Sequence, residues 1–117
     1  MKLPHGKLLQ YAKKVMHRTE DSIDVHCVFN ILPSLAMFIE AAAQSSAGFD
    51  VENHAKIGFL TMAKNIKLLQ TITEKEYLFR LYKEAKIAQY NQFTFEVMLL
   101  DSKIKIVTGS FTLMVKA

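Results

Sequence analysis

The stretch Ser34 to Ala47, SLAMFIEAAAQSSA, constrains this chain more than any other. It is rich in Ala, Leu and Met, good helix formers, and Pro33-Ser34 is a natural helix start. Gly48 is placed to stop the helix. Leu35, Ala36, Met37, Phe38, Ile39, Ala41, Ala42 and Ala43 distribute apolar side chains all the way round. A helix apolar on every side is predicted to be buried on every side. The rest of a chain of 117 residues must therefore supply its cover.

That cover reads as strands. Leu8 to Met16 fits helix or strand equally by pattern. Ser22 to Phe29 alternates, with Ile23, Val25, Cys27 and Phe29 on one face and Asp24, His26 and Val28 on the other. After the polar connection Asp50 to His54, four further strands are predicted over Ile57 to Leu69, Glu76 to Ala88, Gln92 to Leu100 and Lys103 to Lys116. Phe93, Phe95, Val97 and Leu99 alternate with Thr94, Glu96 and Met98. Ile104 and Ile106 alternate with Lys103, Lys105 and Val107, and Asp101-Ser102 forms the hairpin turn between these two strands. Long strands joined by short turns imply an antiparallel, strongly curved sheet, wrapped round the one helix. The expected fold class is α+β, as a single domain over residues 1–117.

Composition narrows the setting. Half the residues are hydrophobic and mean hydropathy is +0.11, which excludes a disordered chain. Four glycines and two prolines exclude collagen-like character. The apolar surplus exceeds what a monomer this small easily hides, and so predicts an obligate dimer. Cys27 is the single cysteine, so no internal disulfide forms, and no Cys/His spacing resembles a zinc site. A reduced, cytoplasmic location is expected. Met1 to Gln10 lacks the apolar core of a signal peptide, and Cys27 to Ile39 is too short to span a bilayer, so no membrane insertion is expected. Net charge is +4 with pI about 9.2, but the lysines are scattered and no nucleic-acid motif accompanies them. An acidic protein partner would exploit the same charge.

Glu40 is the one ionisable residue inside the helix, between Ile39 and Ala41. A carboxylate in apolar surroundings has its charged form disfavoured, the condition for a general acid or base at neutral pH. Gln44, one turn on, shares its face and would hold its carboxyl by a hydrogen bond. The alternative is that Glu40 leaves the helix for solvent or a subunit contact.

The run IEAAAQSSAGF, Ile39 to Phe49, resembles the central-helix signature of the hotdog-fold 3-hydroxyacyl-acyl-carrier-protein dehydratases, a Glu and then a Gln in an E-A-x-A-Q pattern followed by small residues. Glu40 and Gln44 match it, with Ser45, Ser46 and Ala47 where the family tends to have Gly. Leu3-Pro4-His5 is similar to the family's N-terminal L-P-H, and Gly58-Phe59-Leu60 to Leu69 to the strand after the helix. His26 stands fourteen positions before Glu40, the spacing of the family's second catalytic residue.

The resemblance implies a hotdog fold that dimerises edge to edge, with an acyl tunnel between subunits. It also implies His26 as base on the substrate C2 proton and Glu40 assisting departure of the 3-hydroxyl, the pair completed across the dimer. Gln44, Ser45, Ser46 and Ala47 would support substrate. The implied partners are an acyl carrier protein or coenzyme A thioester, its fatty acyl chain, and a second copy or higher homo-oligomer. No cofactor, metal or nucleic acid is implied.

Where the family's His opens the loop H-F-P-G-x-P-x-M-P-G, this chain has His26-Cys27-Val28-Phe29-Asn30-Ile31-Leu32-Pro33-Ser34-Leu35. The alternation itself places His26 inside a strand. Two classes of function follow. One is an enzyme on acyl thioesters, a dehydratase or a thioesterase in which Glu40 activates water. The other is a non-catalytic hotdog protein that binds a fatty acyl group for regulation or carriage.

Lesser candidates carry two readings each. Cys27 is a nucleophile or a buried, inert thiol. Met37, Met62 and Met98 fill the core or line an acyl site. Lys64, Lys67, Arg80, Lys83 and Lys86 form a basic rim for an acidic carrier or for phosphates, or are solvated singly. His5, His17 and His54 read as solvent-exposed.

Overall fold

The computed structural model describes residues 10–49 and 57–116. Strands β1 (Ala12–Arg18) and β2 (Ser22–Val28) precede helix α1 (Leu35–Ser45), which runs on into a 3-10 turn at Ser46–Phe49. Strands β3 (Ile57–Leu68), β4 (Glu76–Ile87), β5 (Tyr90–Leu99) and β6 (Lys105–Lys116) follow. The alternation of Ser22–Val28 is realised as expected: Ile23, Val25 and Cys27 are buried, and Asp24, His26 and Val28 face away. The ambiguous Leu8 to Met16 resolves into β1 from Ala12 onward.

All pairings are antiparallel, in the order β1-β2-β4-β5-β6-β3. Helix α1 lies on one face and touches both edge strands, β1 and β3, as well as β4 and β6. Strands sit roughly 4.8 Å apart, so the edges of a flat six-stranded sheet would be about 24 Å apart. A helix is only about 10 Å wide. Contact with both edges therefore requires the sheet to curl round the helix, the wrapped architecture that the sequence predicts.

Two aromatic clusters fix helix to sheet. Phe38 of α1 packs edge-on against Tyr77 of β4, centroids 5.1 Å apart, and against Phe29 at 5.5 Å. Phe49 of the 3-10 turn stacks on Phe93 at 5.8 Å, and Phe93 on Phe111 at 5.1 Å. Such pairs add about 0.5–1.5 kcal/mol each beyond simple area burial.

The helix differs from expectation in two respects, its C-terminal end and its burial. Ser34 is its N-cap, its hydroxyl accepting from the Met37 amide at 3.2 Å, but the end is capped by Ser46 rather than stopped by Gly48. Gly48 lies inside the 3-10 turn. Burial is also one-sided: Phe38, Ala41, Ala42, Gln44 and Ser45 are covered, Met37, Ile39, Glu40 and Ala43 are half-buried, and Leu35 and Ala36 are exposed. The sheet covers only part of an all-round apolar helix.

The strands differ too. The β5–β6 register slips between Val97 and Met98, so Ile106 and Val107 are both buried while Ile104 faces solvent, against the simple alternation. Residues 100–104 make a longer connection than the expected Asp101-Ser102 turn, closed by the Leu99 amide donating to the Ile104 carbonyl. Met98 is core, but Met62 is 54% exposed and fills none of it.

Edge strand β3 is bulged between Lys64 and Lys67, where Asn65 adopts φ 58°, a left-handed value that Asn tolerates. The bulge tucks Ile66 against the α-carbon of Gly109 in β6, and a Cβ there would meet Ile66 Cδ1 and press to 3.0 Å from Phe95. Gly109→Ala is therefore expected to cost about 1–3 kcal/mol through overpacking, read as a lower midpoint in urea unfolding. An unchanged midpoint would show that Ile66 moves aside freely.

Candidate functional site

The site grows from the middle of α1. Gln44 is buried, and its Oε1 accepts from the backbone amides of Tyr11 at 2.7 Å and Ala12 at 3.4 Å. Buried backbone donors need partners, and β1 begins at Ala12, so the side chain does for these amides what a neighbouring strand would. With Oε1 so engaged, Nε2 is directed to Glu40 Oε1 at 3.5 Å. The expected Glu40–Gln44 contact is present, and the Gln is fixed by β1. Glu40 itself is half-buried on the partly open side of the helix, rather than enclosed as its apolar neighbours suggest.

The small residues that follow are turned inward. Ser45 Oγ donates to the Ala41 carbonyl at 2.7 Å and lies 3.4 Å from Cys27 Sγ. Ser46 Oγ donates to the Ala43 carbonyl at 2.6 Å, and Ala47 is half-buried in the 3-10 turn.

Burial pushes the Cys27 thiol up to about 12. The thiolate is thus disfavoured throughout the neutral range, in keeping with an inert thiol. Because the folded value lies above the unfolded one, stability is unaffected by this thiol below its ordinary range and falls as pH rises from there towards the folded value. A thiol reagent at about pH 8 is expected to modify Cys27 only as fast as the core opens, and promptly in denaturant. Prompt labelling of the native protein would contradict this.

His26 stands elsewhere. Its neighbours Val25 and Cys27 are fully buried towards the helix, so the imidazole projects from the outer face, where Nε2 lies 3.0 Å from Glu76 Oε1 across the β2–β4 pairing. His26 and Glu40 occupy opposite sides of the sheet. Neither Glu76 nor the Tyr11 and Ala12 amides stands out in the sequence, because only strand register brings them to their partners.

The five basic residues do not form one rim. Arg80 Nε and Nη2 donate to the two carboxylate oxygens of Asp24 at 2.7 and 2.9 Å on the outer face, which holds the guanidinium charged. Glu96 extends the same face, accepting from Tyr82 Oη at 3.1 Å and pairing with Lys105. Lys83 lies 4.8 Å over the Phe49 ring. Lys64, Lys67 and Lys86 are exposed, as is His17. His5 and His54 fall outside the described residues, as does Leu3-Pro4-His5. Among the described residues, no cluster of three or more His, Cys, Asp or Glu could hold a metal ion, and no helix is long and apolar enough to cross a membrane.

No protein-family model and no curated protein matches the chain by sequence. Solved structures do match its fold. It is similar to the dehydratase heterocomplex ApeI:P from Xenorhabdus doucetiae, with TM-score 0.71 and 12% identity over 98% of this chain and 88% of that one. Thioesterase HI1161 from Haemophilus influenzae gives 0.68 and 13% over 88% and 77%. A hypothetical thioesterase from Streptococcus pneumoniae, solved with coenzyme A, gives 0.65 and 10% over 89% and 85%. At these identities the likeness is one of fold: the chain has the hotdog fold.

Proposed function

We propose that this hotdog protein binds acyl thioesters as a homodimer, with Glu40 as the polar group that meets the thioester. The observation that carries this reading is the Gln44 clamp. One carboxylate is held by a fixed donor on the incompletely covered side of an otherwise apolar helix. Apolar walls with a few placed polar groups are what an acyl ligand requires. The dehydratase and thioesterases of like fold, one of them solved with coenzyme A, support the same substrate class.

The dimer reading rests on the contrast between the two sheet edges. Strand β1 is short and exposes Lys13, Lys14 and Arg18, charges that discourage strand pairing. Strand β3 has twelve residues and exposes Phe59, Leu60 and Met62. A second copy pairing along β3 would cover that edge.

For chemistry, a single carboxylate suffices to hydrolyse a thioester. Glu40 takes a proton from water, the water oxygen bonds to the carbonyl carbon, the C–S bond breaks, and the proton passes to the leaving thiolate. Dehydration requires a second group on the C2 proton. His26, paired with Glu76 on the outer face, would serve only if the dimer brought it to the partner's helix. The geometry of the protomer thus favours binding or hydrolysis.

Calorimetric titration with a long-chain acyl-coenzyme A is expected to show saturable binding, with coenzyme A alone binding at least about tenfold more weakly through loss of the buried chain. Equal affinity for the two, or none for either, would remove the acyl-thioester assignment.

A further inference from the structure

The far half of β4 separates its charges by face. Lys83 pairs with Phe93 of β5 and Lys86 with Asn91, and a bulge falls between Lys83 and Ala85. In a regular strand, residues three apart point to opposite faces. The bulge returns Lys83 and Lys86 to one face, the helix side, which the buried Phe93 marks. Glu84 between them turns to the outer face, where its carboxylate accepts from Thr94 Oγ1 at 2.8 Å.

Two cations thus stand together beside the 3-10 turn that extends α1. Lys83 Nζ lies 4.8 Å from the centroid of Phe49, whose ring stacks on Phe93. Both lysines are exposed, and among the described residues no carboxylate pairs with either. Asp21 meets this strand end through its backbone, its carbonyl accepting from the Lys83 amide at 2.8 Å.

We infer that Lys83 and Lys86 bind the phosphates of coenzyme A, so that the acyl group reaches Glu40 as a coenzyme A thioester. This rests on the thioester reading and names the carrier. Five α-helical steps and four 3-10 steps separate Glu40 from Phe49, about 15 Å along the axis. The arm of coenzyme A has about thirteen bonds between sulfur and the first phosphorus, roughly 15 Å at the spacing of an extended chain. A thioester beside Glu40 therefore brings the phosphates level with Phe49 and its two lysines. Ammonium groups bind phosphate as point charges, and Asn91, opposite Lys86, offers an amide donor beside them.

An acidic carrier protein fits less well. A stable protein interface engages about 20–30 residues a side, whereas the described basic residues form no continuous rim. Arg80 is paired with Asp24 on the opposite face of the sheet. Two lysines at one strand end match a small anion.

The test is calorimetric titration of the full chain with dodecanoyl-coenzyme A and with S-dodecanoyl-pantetheine, which shares the thioester and lacks the phosphates. Wild type is expected to bind the coenzyme A thioester at least about tenfold more tightly, an advantage that shrinks as salt is raised. Lys83→Gln with Lys86→Gln is expected to abolish most of that advantage, while affinity for the pantetheine thioester and the melting midpoint match wild type. An unchanged advantage in the variant overturns the inference, as does equal wild-type affinity for the two ligands. In both cases the thioester reading stands. Binding of neither ligand removes that reading and this inference with it. A lower melting midpoint with the advantage intact would show that the lysines only offset the negative end of the helix, and overturn it. Tighter binding of an acylated carrier protein than of the coenzyme A thioester, lost in the same variant, would assign the lysines to a carrier and overturn it equally.

Discussion

Glu40→Gln is expected to lower acyl-thioester turnover by about 10²-fold or more while acyl-coenzyme A binding and the unfolding midpoint stay near wild type. The amide preserves the shape of the carboxylate and can still accept from Gln44 Nε2, which lies 3.5 Å away in the native protein. It cannot take a proton from water at neutral pH. The clamp of Gln44 on the Tyr11 and Ala12 amides does not depend on Glu40, so β1 keeps its tie to the helix. Unchanged turnover in this variant would exclude Glu40 as the reacting group. His26→Ala alongside it divides the chemistries. Hydrolysis should persist without the imidazole, whereas dehydration of a 3-hydroxyacyl thioester should fall with it.

The second large effect concerns the β3 edge. Leu60→Asp with Met62→Asp is expected to raise the dimer dissociation constant by at least about a hundredfold, because each charge buried without a partner costs on the order of 2 kcal/mol or more. Both side chains are about half exposed in the protomer, so its own fold loses little. Sedimentation velocity at micromolar concentration should show a dimer for wild type and a monomer for the variant. A wild-type monomer would remove the β3 interface. A variant that stays dimeric would move it elsewhere.

What could be read from residue order divides along physical lines. The alternation in Ser22–Val28 was legible because one face of β2 is buried, and period-two burial leaves a period-two pattern. The Glu40–Gln44 contact was legible because four residues make one helical turn. The partner of His26 was not, since Glu76 lies fifty residues away and meets it only through the β2–β4 register. The burial of Val107 beside Ile106 and the exposure of Ile104 escaped for the same reason: they follow from a one-residue slip against β5, and a slip depends on the facing strand. The helix misled in an informative way. Apolarity all round reports that every side requires cover, without saying which molecule supplies it.

The sheet order bears on how the protein is made. Strand β3 leaves the ribosome before β4, β5 and β6, yet its one hydrogen-bonded neighbour in the sheet is β6, the last of them. Throughout that interval Phe59, Leu60 and Met62 belong to a strand with two unpaired edges. Non-local pairing of this kind is slow to form, and nascent chains on neighbouring ribosomes present the same unsatisfied segment to one another. Synthesis rate and chaperone supply, rather than equilibrium stability, would then govern how much of the protein reaches its folded state in a cell.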